Sequence, residues 1–200
     1  MQTGDLSGMP SDLDTGTTHG PGRPGWVIRR NPKTGQRHLD DLIWGLLPHN
    51  TKDPNTAPRP INARAETVAT HPMFASAFRK RRAIVAMSVY YQRQTIGGSK
   101  QVFAISRRDG EPMGVAGLWE ALRWPDGTIT RTYCIITTEA NSLIAPIHAR
   151  MPIVVEMADW PVWLGEEPGD PTLLLHPPPP DILQSRPADE RQAKPQRRRR

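Results

Sequence analysis

The sequence predicts an α+β fold, with a mostly antiparallel sheet or open barrel and a few flanking helices. Short runs rich in β-branched and aromatic residues follow one another between residues 83 and 138. Turn sequences such as NPKTG, RDGEP and PDG separate the runs at hairpin spacing. Only a few segments show the spacing of apolar residues that a helix requires.

The strands are predicted from these runs in chain order. WVIRR (26–30) and HLDDLIWGLLP (38–48) are the first two, joined by the turn NPKTGQ. The central strands are AIVAMSVYYQ (83–92), QVFAISR (101–107), MGVAGLWEALRW (113–124) and TRTYCIITT (130–138), and MPIVVE (151–156) is the last core strand.

Three helices are predicted around the sheet. The first begins at Thr70, which can cap it, and Pro72 suits its first turn. Its apolar residues share one face, namely Met73, Phe74, Ala77 and Phe78. EANSLIAPI (139–147) and ADWPVWLGE (158–166) are predicted as two further short helices.

Composition divides the chain into three regions. Residues 26–164 carry all six tryptophans and can bury a core. Residues 1–25 have few large apolar side chains, and we expect a disordered or degenerate segment there. Residues 165–200 contain HPPPP and end in RRRR, so we expect a loosely attached tail.

The chain is basic, with a formal net charge of +6. This excess suits a polyanionic partner such as nucleic acid, although the terminal arginines are equally explained as a solvated end. The single cysteine excludes a disulfide framework and a cysteine-rich zinc site. No run of about 20 apolar residues or secretory signal is present. We therefore expect a cytoplasmic, monomeric protein.

Common catalytic and cofactor motifs are missing from the sequence. GxGxxG, the P-loop, GxSxG and HExxH do not occur. The six histidines are scattered and make no pair with metal-ligand spacing. We expect neither a metal nor a cofactor.

The stretch APIHARMPIVV (145–155) places His148 and Arg150 between two apolar segments. Such side chains are seldom buried without a partner. They either line a site at a strand end, or they form local contacts, with the histidine bonded to backbone and the arginine in a surface ion pair.

Six motifs occur together in a defined order: WGLLP (44–48), NARAET (62–67), AFRKRR (77–82), AGLWE (116–120), IITTEAN (135–141) and HARMP (148–152). In order and spacing this set resembles the SOS response-associated peptidase (SRAP) family, over roughly residues 27–190. The resemblance implies recognition of abasic sites in single-stranded DNA. In that family, a cysteine at position 2 condenses with the ring-opened sugar to form a thiazolidine.

The resemblance also implies roles for individual residues. Asn62 would position the sugar or the nucleophile, and Arg64 and Arg150 would hold phosphates. His148 would carry protons near neutral pH. Trp44 would stack on an unpaired base, with packing in the core as the alternative.

The sequence departs from the family at the positions that do the chemistry. Gln2 stands in place of the nucleophilic cysteine, and Cys134 lies inside a predicted core strand. Gln92 occupies the position of the family's catalytic glutamate, and an amide cannot exchange protons at neutral pH. Gln92 can still hydrogen-bond a sugar hydroxyl. Asn50 stands where the family has a second tryptophan.

Three functions remain open from the sequence. The first is a protein that binds single-stranded DNA or its abasic sites without the crosslink or peptidase activity. The second is residual peptidase or lyase chemistry, with the Met1 amine or a lysine forming a Schiff base and His148 assisting. The third is a decayed family copy without activity. Whether the chain is an enzyme is therefore undecided at this point.

Overall fold

The computed structural model describes residues 20–193. Within this range the chain forms ten strands and three short helices. The strands are β1 (Pro24–Arg30), β2 (Arg37–Trp44), β3 (Asn62–Arg64), β4 (Arg82–Met87), β5 (Tyr90–Ile96), β6 (Ser99–Arg107), β7 (Met113–Arg123), β8 (Ile129–Glu139), β9 (Arg150–Pro152) and β10 (Leu183–Ala188). The helices are α1 (Ala65–Val68), α2 (Ala75–Lys80) and α3 (Trp160–Leu164).

Five strands form a barrel in the order β2-β1-β4-β7-β8. Adjacent strands in this order are antiparallel. A short parallel pairing of β2 with β8 closes the ring. The predicted α+β fold with a mostly antiparallel barrel is therefore confirmed. The closing pair, Trp44 with Tyr133, joins residues that are distant in the sequence.

The remaining strands extend this barrel. β3 runs parallel to β8 beyond the point where β2 leaves it, and β9 pairs antiparallel with the end of β8. The other three strands form a separate sheet in the order β10-β6-β5. The end of β8 is consequently the place where β3 and β9 meet.

Two apolar clusters hold these layers together. The first includes Phe78 and Trp163, which pack the helices on the barrel. The second includes Ile105 and Leu183, which pack the three-stranded sheet on the barrel. Gly114 lets the Trp160 ring pack directly on β7, since a Cβ at this position would lie 2.6 Å from the ring.

The helix predictions are only partly correct. The last is confirmed, because α3 follows a 3₁₀ turn and ends at Gly165 with a positive φ of 75°. The first is shorter than predicted, since Phe74 rather than Thr70 is the residue before α2. Residues 142–147 form turns instead of a helix, and the Asn141 side chain accepts the Ile144 N–H at their start.

The expected loose attachment of the tail from residue 165 is wrong for residues 165–193. β10 pairs with β6 along six residues, and Leu183 is fully buried. Proline in this stretch does not prevent pairing, because an edge strand tolerates a missing N–H donor. The N-terminal segment expected over residues 1–25 already includes the start of β1 at Pro24, while residues 1–19 and 194–200 lie outside the described range.

Among residues 20–193, no helix has the length and apolar character needed to cross a bilayer.

Candidate functional site

Three of the predicted site residues lie in a row along one edge of β8. Trp44 is in register with Tyr133, Asn62 with Ile135, and Arg64 with Thr137. Side chains at alternate positions of a strand share a face, and residues in register share it across strands. The topology therefore aligns Trp44, Asn62 and Arg64 on the same side of the sheet.

Trp44 is half-buried at the start of this row. Its ring stacks on Tyr133 with a centroid distance of 6.1 Å, and its Nε1 donates to the Ile61 carbonyl at 2.8 Å. These contacts belong to core packing and fix the ring in place. Stacking on a base stays a prediction.

Arg64 and Asn62 are exposed further along the row. Within residues 20–193, the Arg64 guanidinium makes no hydrogen bond or ion pair, which leaves its donors available to an anion. The Asn62 amide offers both a donor and an acceptor beside it. The pair can therefore bind a phosphate and a sugar hydroxyl at neighbouring positions.

Arg150, in contrast, is already paired. Its two terminal nitrogens donate to the Glu66 carboxylate at 2.7 and 3.0 Å, and one also donates to the Thr137 carbonyl at 2.6 Å. Hydrogen bonds from Arg150 hold the pKa of Glu66 below its usual value, and the nearby Arg64 charge adds to this. The guanidinium ties β9 to α1 and has few donors left for a ligand.

His148 makes local contacts just before β9. Its Nδ1 lies 2.8 Å from the Arg150 backbone carbonyl oxygen and 3.0 Å from the Arg150 backbone nitrogen. A neutral ring accepts the Arg150 N–H, whereas a protonated Nδ1 donates to the carbonyl. Nε2 makes no hydrogen bond in the part of the chain that the structure describes, and the side chain is exposed. The ring is thus held through Nδ1, and Nε2 is left open to a ligand.

Gln92 comes from the second sheet. It is half-buried on β5, two residues before Gln94, whose amide donates to the Pro146 carbonyl. This contact brings β5 against the turn that leads to His148. Gln92 shares the Gln94 face of β5, because side chains two residues apart point the same way.

Comparison with known proteins identifies the family. The model of the SOS response associated peptidase (SRAP) family matches residues 10–194. This chain belongs to the SRAP family.

Relatives and solved structures agree with this assignment. Abasic site processing protein YoqW of Bacillus subtilis (strain 168) is 31% identical over 156 residues, covering 78% of this chain and 67% of YoqW. Abasic site processing protein YedK of Escherichia coli (strain K12) is 32% identical over 141 residues, covering 70% of this chain and 61% of YedK.

Crystal structures also share the fold. A protein from Bacteroides thetaiotaomicron superposes with a TM-score of 0.78 at 23% identity, over 87% of this chain and 79% of its own. A protein from Bordetella bronchiseptica gives 0.75 at 26% identity, over 86% of each chain.

The only thiol of this SRAP chain is not a nucleophile. Cys134 is fully buried in β8, and burial raises the pKa of its thiol far above the usual value. No group of three metal-ligating side chains occurs among residues 20–193.

A buried charged cluster of this SRAP domain was not predicted. Glu120 on β7 is 1% exposed and accepts from Arg81 at 2.8 Å and from the His49 ring at 3.1 Å. The His49 backbone N–H donates to the same carboxylate at 3.3 Å. The signal in the sequence was a glutamate inside the apolar AGLWEAL stretch, since a charge there needs a partner.

Proposed function

We propose that this SRAP protein binds single-stranded DNA at abasic sites, without forming a cysteine crosslink. The observation that carries the proposal is the row of Trp44, Asn62 and Arg64 along β8, with His148 at the adjoining strand end. The names of its relatives, abasic site processing proteins, point to the same ligand.

The chemistry of the row suits a strand that lacks one base. Arg64 would grip a phosphate through charge-assisted hydrogen bonds. Asn62 and Gln92 would bond the hydroxyls of the exposed sugar, and His148 would carry a proton beside them. One chain supplies every one of these groups, so we infer that the protein acts as a monomer.

A thiazolidine crosslink is not part of the proposal. Position 2 is glutamine, and the buried Cys134 thiol cannot reach a sugar aldehyde. Because Gln92 replaces a carboxylate, we propose neither peptidase nor lyase activity for this protein.

Fluorescence anisotropy tests the proposal with three matched oligonucleotides: a single strand carrying a tetrahydrofuran abasic analogue, the same strand with a normal base, and the intact duplex. We expect the abasic strand to bind most tightly. We also expect its affinity to fall with salt, by a slope of roughly 0.7 per phosphate contact. Equal affinity for all three would contradict the proposal.

A strand with a natural abasic site tests for chemistry. We expect no adduct that survives denaturation, because Cys134, the single cysteine of this sequence, is buried. A borohydride-trapped adduct would instead support the alternative of amine chemistry.

A further inference from the structure

Charged side chains lie together at one end of the barrel, on the face that the second apolar cluster covers. Val27, Leu42 and Tyr133 are members of this cluster. β1 runs towards this end, whereas β2 and β8 start there, as their pairings show. Side chains two positions apart on a strand share a face, so the next residues outward from these three lie at the end of the same face: Arg29, Asp40 and Arg131.

The Arg29 guanidinium is held in place by two contacts. Only 9% of the Arg29 side chain is exposed. Its guanidinium carbon lies 4.3 Å from the centroid of the Trp119 ring, which is a cation–π contact. Its Nε lies 2.5 Å from Asp40 Oδ2, in an ion pair that lacks hydrogen-bond geometry. The position of the guanidinium is therefore fixed before any ligand arrives, which lowers the entropy cost of binding.

Most of the Arg29 donors have no acceptor. A guanidinium carries five N–H groups, four of them on the two Nη atoms. Within residues 20–193 the Nη atoms make no hydrogen bond, and unlike Nε they are not sealed from solvent. Unpaired donors on a largely desolvated charge cost free energy, which an anion in contact with them would recover. The surroundings of Arg29 thus point to an anionic ligand.

Arg131 supplies a second guanidinium at this end of the barrel. It is in register with Ala121, and the next pair on the same face is Tyr133 with Trp119. Diagonal neighbours on two paired strands are about 7 to 8 Å apart, which a long side chain can span. Arg131 can therefore reach the Trp119 ring on which Arg29 lies. It is exposed and makes no hydrogen bond or ion pair within the described range.

The charges of this group favour a phosphate. Two arginines and one carboxylate leave a net positive charge, and Asp40 approaches Arg29 at Nε rather than at the Nη atoms. The planar fork of a guanidinium binds two oxygens of a phosphate at once. Two such groups can share the several oxygens of one tetrahedral anion.

The group is separate from the candidate DNA site. Arg131 lies six residues before Thr137, the register partner of Arg64. Six residues of a strand span about 20 Å. Trp44 and Tyr133 lie between the two places. One phosphate therefore cannot contact Arg64 and Arg131 together.

We propose that Arg29 and Arg131 form a second anion site, which binds a phosphate group. The group is either inorganic phosphate or a backbone phosphate of a DNA strand that extends past the abasic position. Arg29 binds it through the Nη atoms, and Arg131 binds it from β8. The site does not depend on the proposed function, since a free anion can fill it without DNA.

NMR titration of the isotope-labelled protein with inorganic phosphate, at constant ionic strength, tests the site. We expect saturable shifts of the Arg29 Nε–H and Trp119 indole N–H signals. Arg131→Ala is expected to weaken phosphate binding about tenfold. Asp40→Asn is expected to tighten it about threefold, because a repelling charge is removed. A partly unfolded variant would not bind more tightly.

Arg79→Ala is the matched control. Arg79 is exposed on α2, and its side chain makes no hydrogen bond or ion pair within residues 20–193. This variant should bind phosphate as the wild type does. Absence of saturable shifts in the wild type, or an equal loss of affinity in the Arg79 and Arg131 variants, would overturn the proposal.

Abasic single strands of two lengths distinguish the sources of the phosphate. If a backbone phosphate fills the site, Arg131→Ala lowers the salt slope for the long strand by about 0.7 and leaves that for the short strand unchanged. Unchanged slopes for both strands, together with the phosphate-induced shifts, assign the site to free phosphate. Failure of the wild type to prefer abasic DNA would overturn the proposed function but not the phosphate titration.

Discussion

Arg64 and Arg150 have the same side chain but different surroundings. Arg150 is committed to Glu66 and to the Thr137 carbonyl, whereas Arg64 is exposed and unpaired within residues 20–193. A guanidinium that already donates to a carboxylate must lose those bonds before it can grip a phosphate. The resemblance implied equal roles for the two, and the contacts favour Arg64 as the group that meets DNA.

Single substitutions separate the two arginines. Arg64→Ala is expected to weaken binding to abasic single-stranded DNA about tenfold and to lower the salt slope, because a charge-assisted bond is worth about 1.5 to 3 kcal/mol. Arg150→Ala removes the same charge and is expected to change binding less than threefold. Anisotropy at several salt concentrations measures both, and equal loss of slope in the two variants would contradict this assignment.

At the scale of elements, one loop connects much of the site. Residues 45–61 join Trp44 to Asn62. Their attachment to the barrel depends on the buried Glu120 carboxylate, which is shared by His49 and Arg81. Removing one member of a buried ion pair leaves the charge of the other without a counter-ion, and this destabilises the folded state.

Glu120→Ala is therefore expected to lower the free energy of unfolding by about 3 kcal/mol. The half-buried Arg81 loses its counter-ion, and the loop loses two hydrogen bonds. Urea unfolding measures the change, and hydrogen exchange should show a faster His49 amide. Glu139→Ala, an exposed glutamate on the neighbouring strand, should change stability by less than about 0.5 kcal/mol. Similar values for both variants would show that the cluster does not anchor the loop.

At the scale of the whole molecule, the segment after α3 completes the fold. β10 covers β6, and the Asn141 side chain donates to the Pro178 carbonyl at 2.9 Å. The described part of the C-terminal region thus holds both the three-stranded sheet and the turn before His148. Its attachment affects the site as well as the core.

Leu183→Ala tests this attachment. The side chain is fully buried, so its truncation is expected to cost about 3 kcal/mol of unfolding free energy. Leu173→Ala, in the same segment but 74% exposed, should cost less than about 0.5 kcal/mol. Thermal and urea unfolding compare the two, and a Leu183→Ala protein as stable as wild type would mean that the segment is loosely held after all.

The local structure and the family could be predicted from the residues alone. β-Formers and turn residues act over a few positions, so most strands and the α+β class could be predicted from the residues themselves. The ordered motifs likewise identified Asn62, Arg64 and His148 as candidates. The segment at 139–147 was misread, because Asn141 and Pro146 favour turns over the helix that the apolar residues suggested.

Which distant groups meet depends on how the elements pack against one another. The closure of the barrel, the attachment of β10 and the pairing of Arg150 with Glu66 join residues far apart in the chain. The Glu120 cluster likewise depends on contacts between separate elements. Such contacts are set by how whole elements pack, and local propensity contains no information about them.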